Sequence, residues 1–215
     1  MEHAILREQV VEAARRMAAC GLVVGTAGNV SARVPGQEVF VITPSSLAYS
    51  EMTAADTVIV DLAGKVLTRG RPPSTETIVH RRIYAARAGV GAICHSHSRH
   101  ATALAILRMP IPAVLEELVP YVGGPVEVAE YAPSASRELA ENVIRGLADR
   151  AAVLLANHGA LSVGRDLAEA LHVAELIEQA AQIYILARSI GTPCELPRES
   201  LELYRMVYAA SRSKE

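Results

Sequence analysis

The chain has 215 residues, 51% of them hydrophobic, 20% charged and 4% aromatic, with 21 Lys+Arg against 23 Asp+Glu for a formal net charge of -2. A near-neutral chain with no basic tract longer than a pair such as Arg81-Arg82 excludes a phosphate-tracking nucleic-acid surface, and no apolar run approaches the length that a membrane span requires. Three scattered cysteines, Cys20, Cys94 and Cys194, exclude a disulfide framework and point to a reducing, cytoplasmic setting, while a chain of this size buries about 70% of its unfolded surface without staples.

Residues 3–19 show apolar positions at helical spacing, interrupted by charges throughout, which predicts a folded N-terminal helix rather than a signal peptide, closed by Gly21. A Gly-rich loop is expected over residues 25–36, then a strand in EVFVITPSS, then a hairpin in TVIVDLAGKVLTRG turning at Ala63-Gly64. Ser74 is the expected N-cap of a helix over about residues 75–87, with Glu76 in its first turn. GVGAICHSHS reads as a buried strand, ending where Ser98 can cap a helix over about 99–108.

Residues 109–136 form a proline-punctuated loop with a short strand near 126–129, followed by a helix over about 136–149. AAVLLANHGALSVG reads as strand, turn and strand, with the turn at Asn157-His158-Gly159. Asp166 and Glu169 make a capping box for the longest helix, which stops near Gly191, and a last helix over about 198–211 places Leu201, Tyr204 and Tyr208 on one face. No repeat or linker divides the chain, so one domain over residues 1–215 is expected. Mixed helices and hairpins predict a layered α/β fold with a mainly antiparallel sheet covered by helices on both faces.

Histidine is the unusual feature: three of the seven fall within six residues, His95, His97 and His100. Residues two apart on a strand share a face, so His95 and His97 present two imidazoles to one point, and His158 in its Gly-flanked turn is the best third ligand, with His100 the alternative. The plainer reading is a pair of hydrogen-bonded strand-end histidines. His3, His80 and His172 read as surface or boundary residues of helices. Three segments offer small residues, hydroxyls and free backbone N–H groups suited to a phosphate: residues 25–31 with Thr26, Gly28 and Asn29, residues 43–46 with Ser45 and Ser46, and Ser74-Thr75. None carries a nucleotide-binding fingerprint. Glu76 reads either as a helix-dipole carboxylate or, beside a metal and a phosphate, as a general base.

GTAGNVSAR (25–33), ITPSS (42–46), PPSTET (72–77), HSHSRHATAL (95–104) and NHGAL (157–161), in this order, resemble the class II aldolase/adducin family, and its L-fuculose-1-phosphate aldolase-like branch in particular. The resemblance covers nearly the whole chain. It implies a three-layer α/β/α sandwich, a homotetramer with active sites at subunit interfaces, and one zinc per subunit, replaceable by manganese or cobalt, on His95, His97 and His158. It implies a phosphate site of Asn29, Ser45, Ser46, Ser74 and Thr75, to which the loop residues Thr26 and Gly28 add, with Ser46 where that branch often has Gly, and Glu76 as catalytic acid/base.

The implied reaction is cleavage of a ketose 1-phosphate to dihydroxyacetone phosphate and an aldehyde through a zinc-stabilised enediolate. Glu117 falls where the aldolases carry a loop tyrosine and the related methylthioribulose-1-phosphate dehydratases carry a glutamate, which leaves dehydration as the alternative reaction. A pentulose-5-phosphate 4-epimerase is a more distant one. Tyr208 matches a second family tyrosine that reaches a neighbouring active site, against a plain role as a core anchor. Adducin-type scaffolds lack the metal histidines, so a non-enzymatic module is not expected.

Overall fold

The computed structural model describes residues 2–212. Helix α1 (Ala4–Ala19) leads into strands β1 (Asn29–Arg33) and β2 (Val39–Ile42), a 3-10 turn (Ala54–Asp56) and β3 (Val58–Asp61). Helix α2 (Thr77–Ala86), strand β4 (Ala92–Ser96), helices α3 (Arg99–Ile106) and α4 (Leu118–Val122) and strand β5 (Val128–Ala129) follow. Helix α5 (Arg137–Leu147), strands β6 (Ala152–Leu155) and β7 (Gly159–Gly164), and helices α6 (Leu167–Ile190) and α7 (Arg198–Arg212) complete the described chain.

The strands make one sheet in the order β3-β2-β1-β4-β7-β6-β5, antiparallel throughout except for the β5–β6 pair. Helices α2 and α5 pack together on one face, while α6 crosses β4 and β7 on the other with α1 and α3 beside it. The result is the expected α/β/α sandwich, and its apolar alternation follows the layers: Val30, Ala92 and Cys94 pack with α1, while Ile93, Leu161 and Val163 join the cluster that holds Ile83 and Val143. No helix among the described residues is long and apolar enough to cross a membrane.

Four local expectations are corrected. Residues 29–33 are a strand, not part of a loop, because their polar members Asn29 and Ser31 are buried beneath α2 instead of facing solvent. The hairpin over residues 57–70 keeps its turn, but the second arm forms only the isolated Val60–Val66 bridge, with Val66 and Leu67 exposed. Helix α2 starts at Thr77 with Glu76 at the N-cap, and the Ser74 hydroxyl instead accepts from the Glu76 N–H at 3.3 Å. Helix α4 forms inside the expected loop, short enough for Pro120 to fall within its single turn.

Caps also differ in detail. Asp166 accepts from the Glu169 N–H at 2.8 Å as expected, but Glu169 turns to the Arg165 N–H rather than back to Asp166. Ser98 stands at the N-cap of α3 without a side-chain bond, and the Glu178 carboxylate of α6 accepts from the N–H groups of His100 and Ala101 in its place. Asn157, at φ 55, and the His158 N–H bonded to the Leu155 carbonyl at 3.0 Å form the tight β6–β7 turn.

Candidate active site

Four segments converge at one end of the sheet. Strand β4 carries His95 at its end and His97 just beyond, and the His97 N–H is tied to the Leu22 carbonyl behind α1 at 3.0 Å. Strand β1 places Asn29 directly opposite His95, and the β6–β7 turn swings His158 over both histidines. Two glycines make this approach possible. A Cβ on Gly28 would stand 2.5 Å from the His95 carbonyl oxygen in a backbone at φ +74, and one on Gly159 would stand 2.2 Å from the Ser96 carbonyl oxygen.

The imidazoles of His95, His97 and His158 have ring centroids 4.8–5.0 Å apart, with their ligand nitrogens all within 4.8 Å of one another. His95 Nδ1 donates to the Ala160 carbonyl at 3.0 Å, which fixes the ring and turns Nε2 to within 3.0 Å of His97 Nε2. Two imidazole nitrogens on one tetrahedral zinc stand about 3.4 Å apart, so the set is close to the geometry a metal demands. The Glu76 carboxylate completes the cluster: Oε2 lies 2.9 Å from His95 Nε2 and accepts from Asn29 Nδ2 at 3.3 Å, and Oε1 lies 3.4 Å from His158 Nε2 without hydrogen-bond geometry. Three converging imidazoles and a buried carboxylate oxygen left without a hydrogen bond fit a divalent cation.

Electrostatics reinforce this fit. Burial works to raise the Glu76 carboxyl, but the His95 charge and hydrogen bond, His158 and the Asn29 amide outweigh it and hold its pKa well below the ordinary carboxylate range. Burial, reinforced by His95 and His158, lowers His97 to about 4, and burial also lowers His158. Burial opposes a charge on His95, yet the adjacent Glu76 carboxylate raises its pKa. At neutral pH His97 and His158 are therefore unprotonated, the form in which imidazole binds metal.

Around this cluster lies a cleft of about 270 Å³. His95, His97, His158 and Glu76 form one wall, Thr26 and Gly28 another, and Ser45, Ser46, Ser74 and Thr75 the remainder. All three candidate phosphate segments thus meet the histidines, with Asn29 buried just behind through its bond to Glu76. Ser46 sits in the left-handed region at φ 55, which suits the glycine that the resembling branch often has there. Ser134, exposed on the loop after β5, also lines the cleft; nothing in its sequence context marks it.

Glu117 and Tyr208 lie outside this lining. Glu117 is exposed at the start of α4, 3.5 Å from Gln179 Nε2 of α6. Tyr208 is buried on α7, with its ring against Gly123 and its hydroxyl donating to the Asp149 carbonyl at 2.9 Å. His100 stays outside the cluster of His95, His97 and His158, its Nδ1 2.8 Å from Glu178. His80, expected at a boundary, is instead fully buried against Ser31; its place one helical turn after Glu76, between Val79 and Ile83, was the available signal.

The profile of the Class II Aldolase and Adducin N-terminal domain family matches residues 8–185. A 5-deoxy-D-ribulose 1-phosphate aldolase of Bacillus thuringiensis serovar kurstaki is 39% identical over 196 residues, covering 91% of this chain and 92% of its own. An L-fuculose phosphate aldolase of Escherichia coli O6:H1 is 36% identical over 193 residues, covering 90% of this chain and 88% of its own. The solved structure of an L-fuculose 1-phosphate aldolase superposes with a TM-score of 0.93 at 35% identity, over 97% of this chain and 98% of that one.

Proposed function

We propose, since this chain belongs to the class II aldolase and adducin family, that it cleaves a deoxy-ketose 1-phosphate, of the L-fuculose or 5-deoxyribulose kind, into dihydroxyacetone phosphate and an aldehyde. The chain is an enzyme of the aldolase class, a carbon–carbon lyase. One observation carries the reading: the histidine triad, an acidic group and three hydroxyl-bearing loops share a single small cleft.

His95, His97 and His158 would hold a divalent metal, zinc by preference for imidazole and manganese or cobalt in its stead, which when bound polarises the substrate carbonyl and offsets the negative charge that develops there. The phosphate is held by neutral donors, the hydroxyls of Thr26, Ser45, Ser46, Ser74 and Thr75 with the Asn29 amide and the loop N–H groups, since among the described residues no Lys or Arg lines the cleft. Cleavage takes a proton from the C4 hydroxyl and returns one to C3. Glu76 handles the proton at C3, delivering it in cleavage and removing it in condensation. Its depressed pKa keeps it ionised, the form that removes the C3 proton in condensation; in cleavage it first takes up the proton released from the C4 hydroxyl and then passes it to C3.

Glu117 and Tyr208 stand outside the cleft of their own chain, so any part they take in moving the C4 hydroxyl proton comes from a second copy. That is consistent with the homotetramer, with active sites at subunit interfaces, that we propose. Incubating metal-loaded enzyme with a panel of ketose 1-phosphates and scoring products by NMR tests the reading. Dihydroxyacetone phosphate is the expected product; a dehydrated diketone as sole product would assign the protein to a dehydratase instead.

A further inference from the structure

Helix α2 lies on β1 through a row of polar contacts in an otherwise apolar layer. Alternate strand residues share a face, so Asn29, Ser31 and Arg33 form one row, while His80 and Tyr84 of the helix and its N-cap Glu76, spaced by four, form one stripe. The two rows meet rung by rung. Asn29 Nδ2 donates to Glu76 Oε2 at 3.3 Å, Ser31 Oγ lies 2.6 Å from His80 Nδ1 and 2.8 Å from the Tyr84 hydroxyl, and the Arg33 guanidinium stacks 4.9 Å from the Tyr84 ring centroid while donating to the Tyr84 carbonyl. The match has a geometric origin: two strand residues advance about 6.6 Å and four helical residues about 6 Å.

Ser31 and His80 are fully buried and Tyr84 is 1% exposed, and none of the three lines the cleft. Burial of apolar groups is non-directional and leaves a helix free to slide along a sheet at little cost, whereas buried hydrogen bonds fix one register. Only the first rung of this ladder belongs to the active site. We propose that Ser31, His80 and Tyr84 are positioning residues that lock the axial register of α2 on β1 and thereby place the Glu76 carboxylate at the reacting carbon. The proposal rests on the aldolase reading of Glu76.

The test uses metal-loaded Ser31→Ala, Tyr84→Phe and His80→Asn enzymes, with metal content, kcat and KM, exchange of the C3 proton of dihydroxyacetone phosphate into D2O, and crystal structures as readouts. Displacement of a catalytic group by about 1 Å costs up to about 100-fold in rate. Ser31→Ala is expected to lose roughly tenfold or more in kcat and in proton exchange by the same ratio. Its KM and metal content should match those of the unmodified enzyme, and its Glu76 carboxylate should be shifted relative to His95. Tyr84→Phe removes one oxygen from an otherwise unchanged ring and should lose less in the same direction, and its loss should not add to that of Ser31→Ala.

Folded variants that exchange the C3 proton at the unmodified rate, with Glu76 in place and only the melting temperature lowered, would overturn the proposal. If the unmodified enzyme neither forms dihydroxyacetone phosphate nor exchanges its C3 proton, the aldolase reading fails on its own. The crystal structures then still decide whether the ladder holds Glu76: an unshifted carboxylate in Ser31→Ala overturns it. Should His80→Asn fail to fold, Ser31→Ala and Tyr84→Phe decide the outcome.

Discussion

Asn29 and His95 stand opposite each other across the β1–β4 ladder, and both reach the same oxygen of Glu76, at 3.3 Å and 2.9 Å respectively. A backbone pairing thus presets the partners of the carboxylate that we propose as the acid/base group. Glu76→Gln keeps the shape and the Asn29 contact but loses the proton-carrying group. We expect kcat to fall by about 100-fold to 10,000-fold with metal content unchanged. Steady-state kinetics beside metal analysis of the same preparation checks this, and a near-normal kcat would remove Glu76 from the proton transfer.

Gly28→Ala tests how the loop proposed to hold the phosphate is seated. The added Cβ meets the His95 carbonyl oxygen at 2.5 Å and Val23 Cγ1 at 2.7 Å, in a backbone at φ +74. Left-handed geometry alone costs about 1–2 kcal/mol for a residue with a Cβ, and backbone that must move adds to it. Urea denaturation should show a loss of at least about 2 kcal/mol, together with a raised KM for the sugar phosphate.

The cap of α3 gives a pair of opposite expectations. Glu178 accepts two backbone N–H bonds and lies against His100 Nδ1, whereas the Ser98 hydroxyl is buried without a partner. Glu178→Ala should cost about 1–3 kcal/mol and loosen the segment that follows His97. Ser98→Ala should be close to neutral. Thermal melts of the two variants side by side would show the reversed order if serine were the working cap.

Stability toward acid should carry the signature of His80. Burial, aided by the nearby His95 and opposed by Glu76, lowers its pKa from 6.5 to about 3. The folded state therefore binds fewer protons than the unfolded chain between these values, so this contribution is whole above about pH 6.5, declines as pH falls and is gone below about pH 3. Glu76, also depressed, adds a further loss below its ordinary 4.5. Between pH 6 and pH 5 the unmodified protein should lose about 1 kcal/mol more than His80→Gln in urea denaturation. Equal losses would mean that His80 is protonated in the folded protein.

Tyr208 separates an anchor from a catalytic group. With its hydroxyl on the Asp149 carbonyl, Tyr208→Phe should cost about 1 kcal/mol of stability and leave kcat within about threefold. A large drop in kcat without a drop in stability would instead place this hydroxyl in a neighbouring site.

The elements legible in the sequence were those whose pattern follows solvent. Helices α1, α5 and α6 and strands β4, β6 and β7 all carry apolar runs or periods set by a wet side and a dry side. Strand β1 was not legible because its polar residues Asn29 and Ser31 are paired with α2 rather than with water, which makes a buried strand look like a loop. The histidine cluster was readable because His95 and His97 lie on consecutive positions of one strand face and its continuation, and His158 sits in a marked turn. Glu178 as a cap, Ser134 in the cleft and His80 beneath Glu76 depend on contacts between segments far apart in the chain, which spacing does not encode.

The central claim, a metal held by His95, His97 and His158 in an aldolase site, is tested most directly by stripping the enzyme with a chelator and titrating zinc back. Formation of dihydroxyacetone phosphate from a deoxy-ketose 1-phosphate is followed against the bound metal per chain. The prediction is activity that rises in proportion to occupancy, saturates at one ion per chain, and is absent in His95→Ala, which should bind no stoichiometric zinc. Undiminished cleavage by the stripped enzyme, or by His95→Ala, would contradict it.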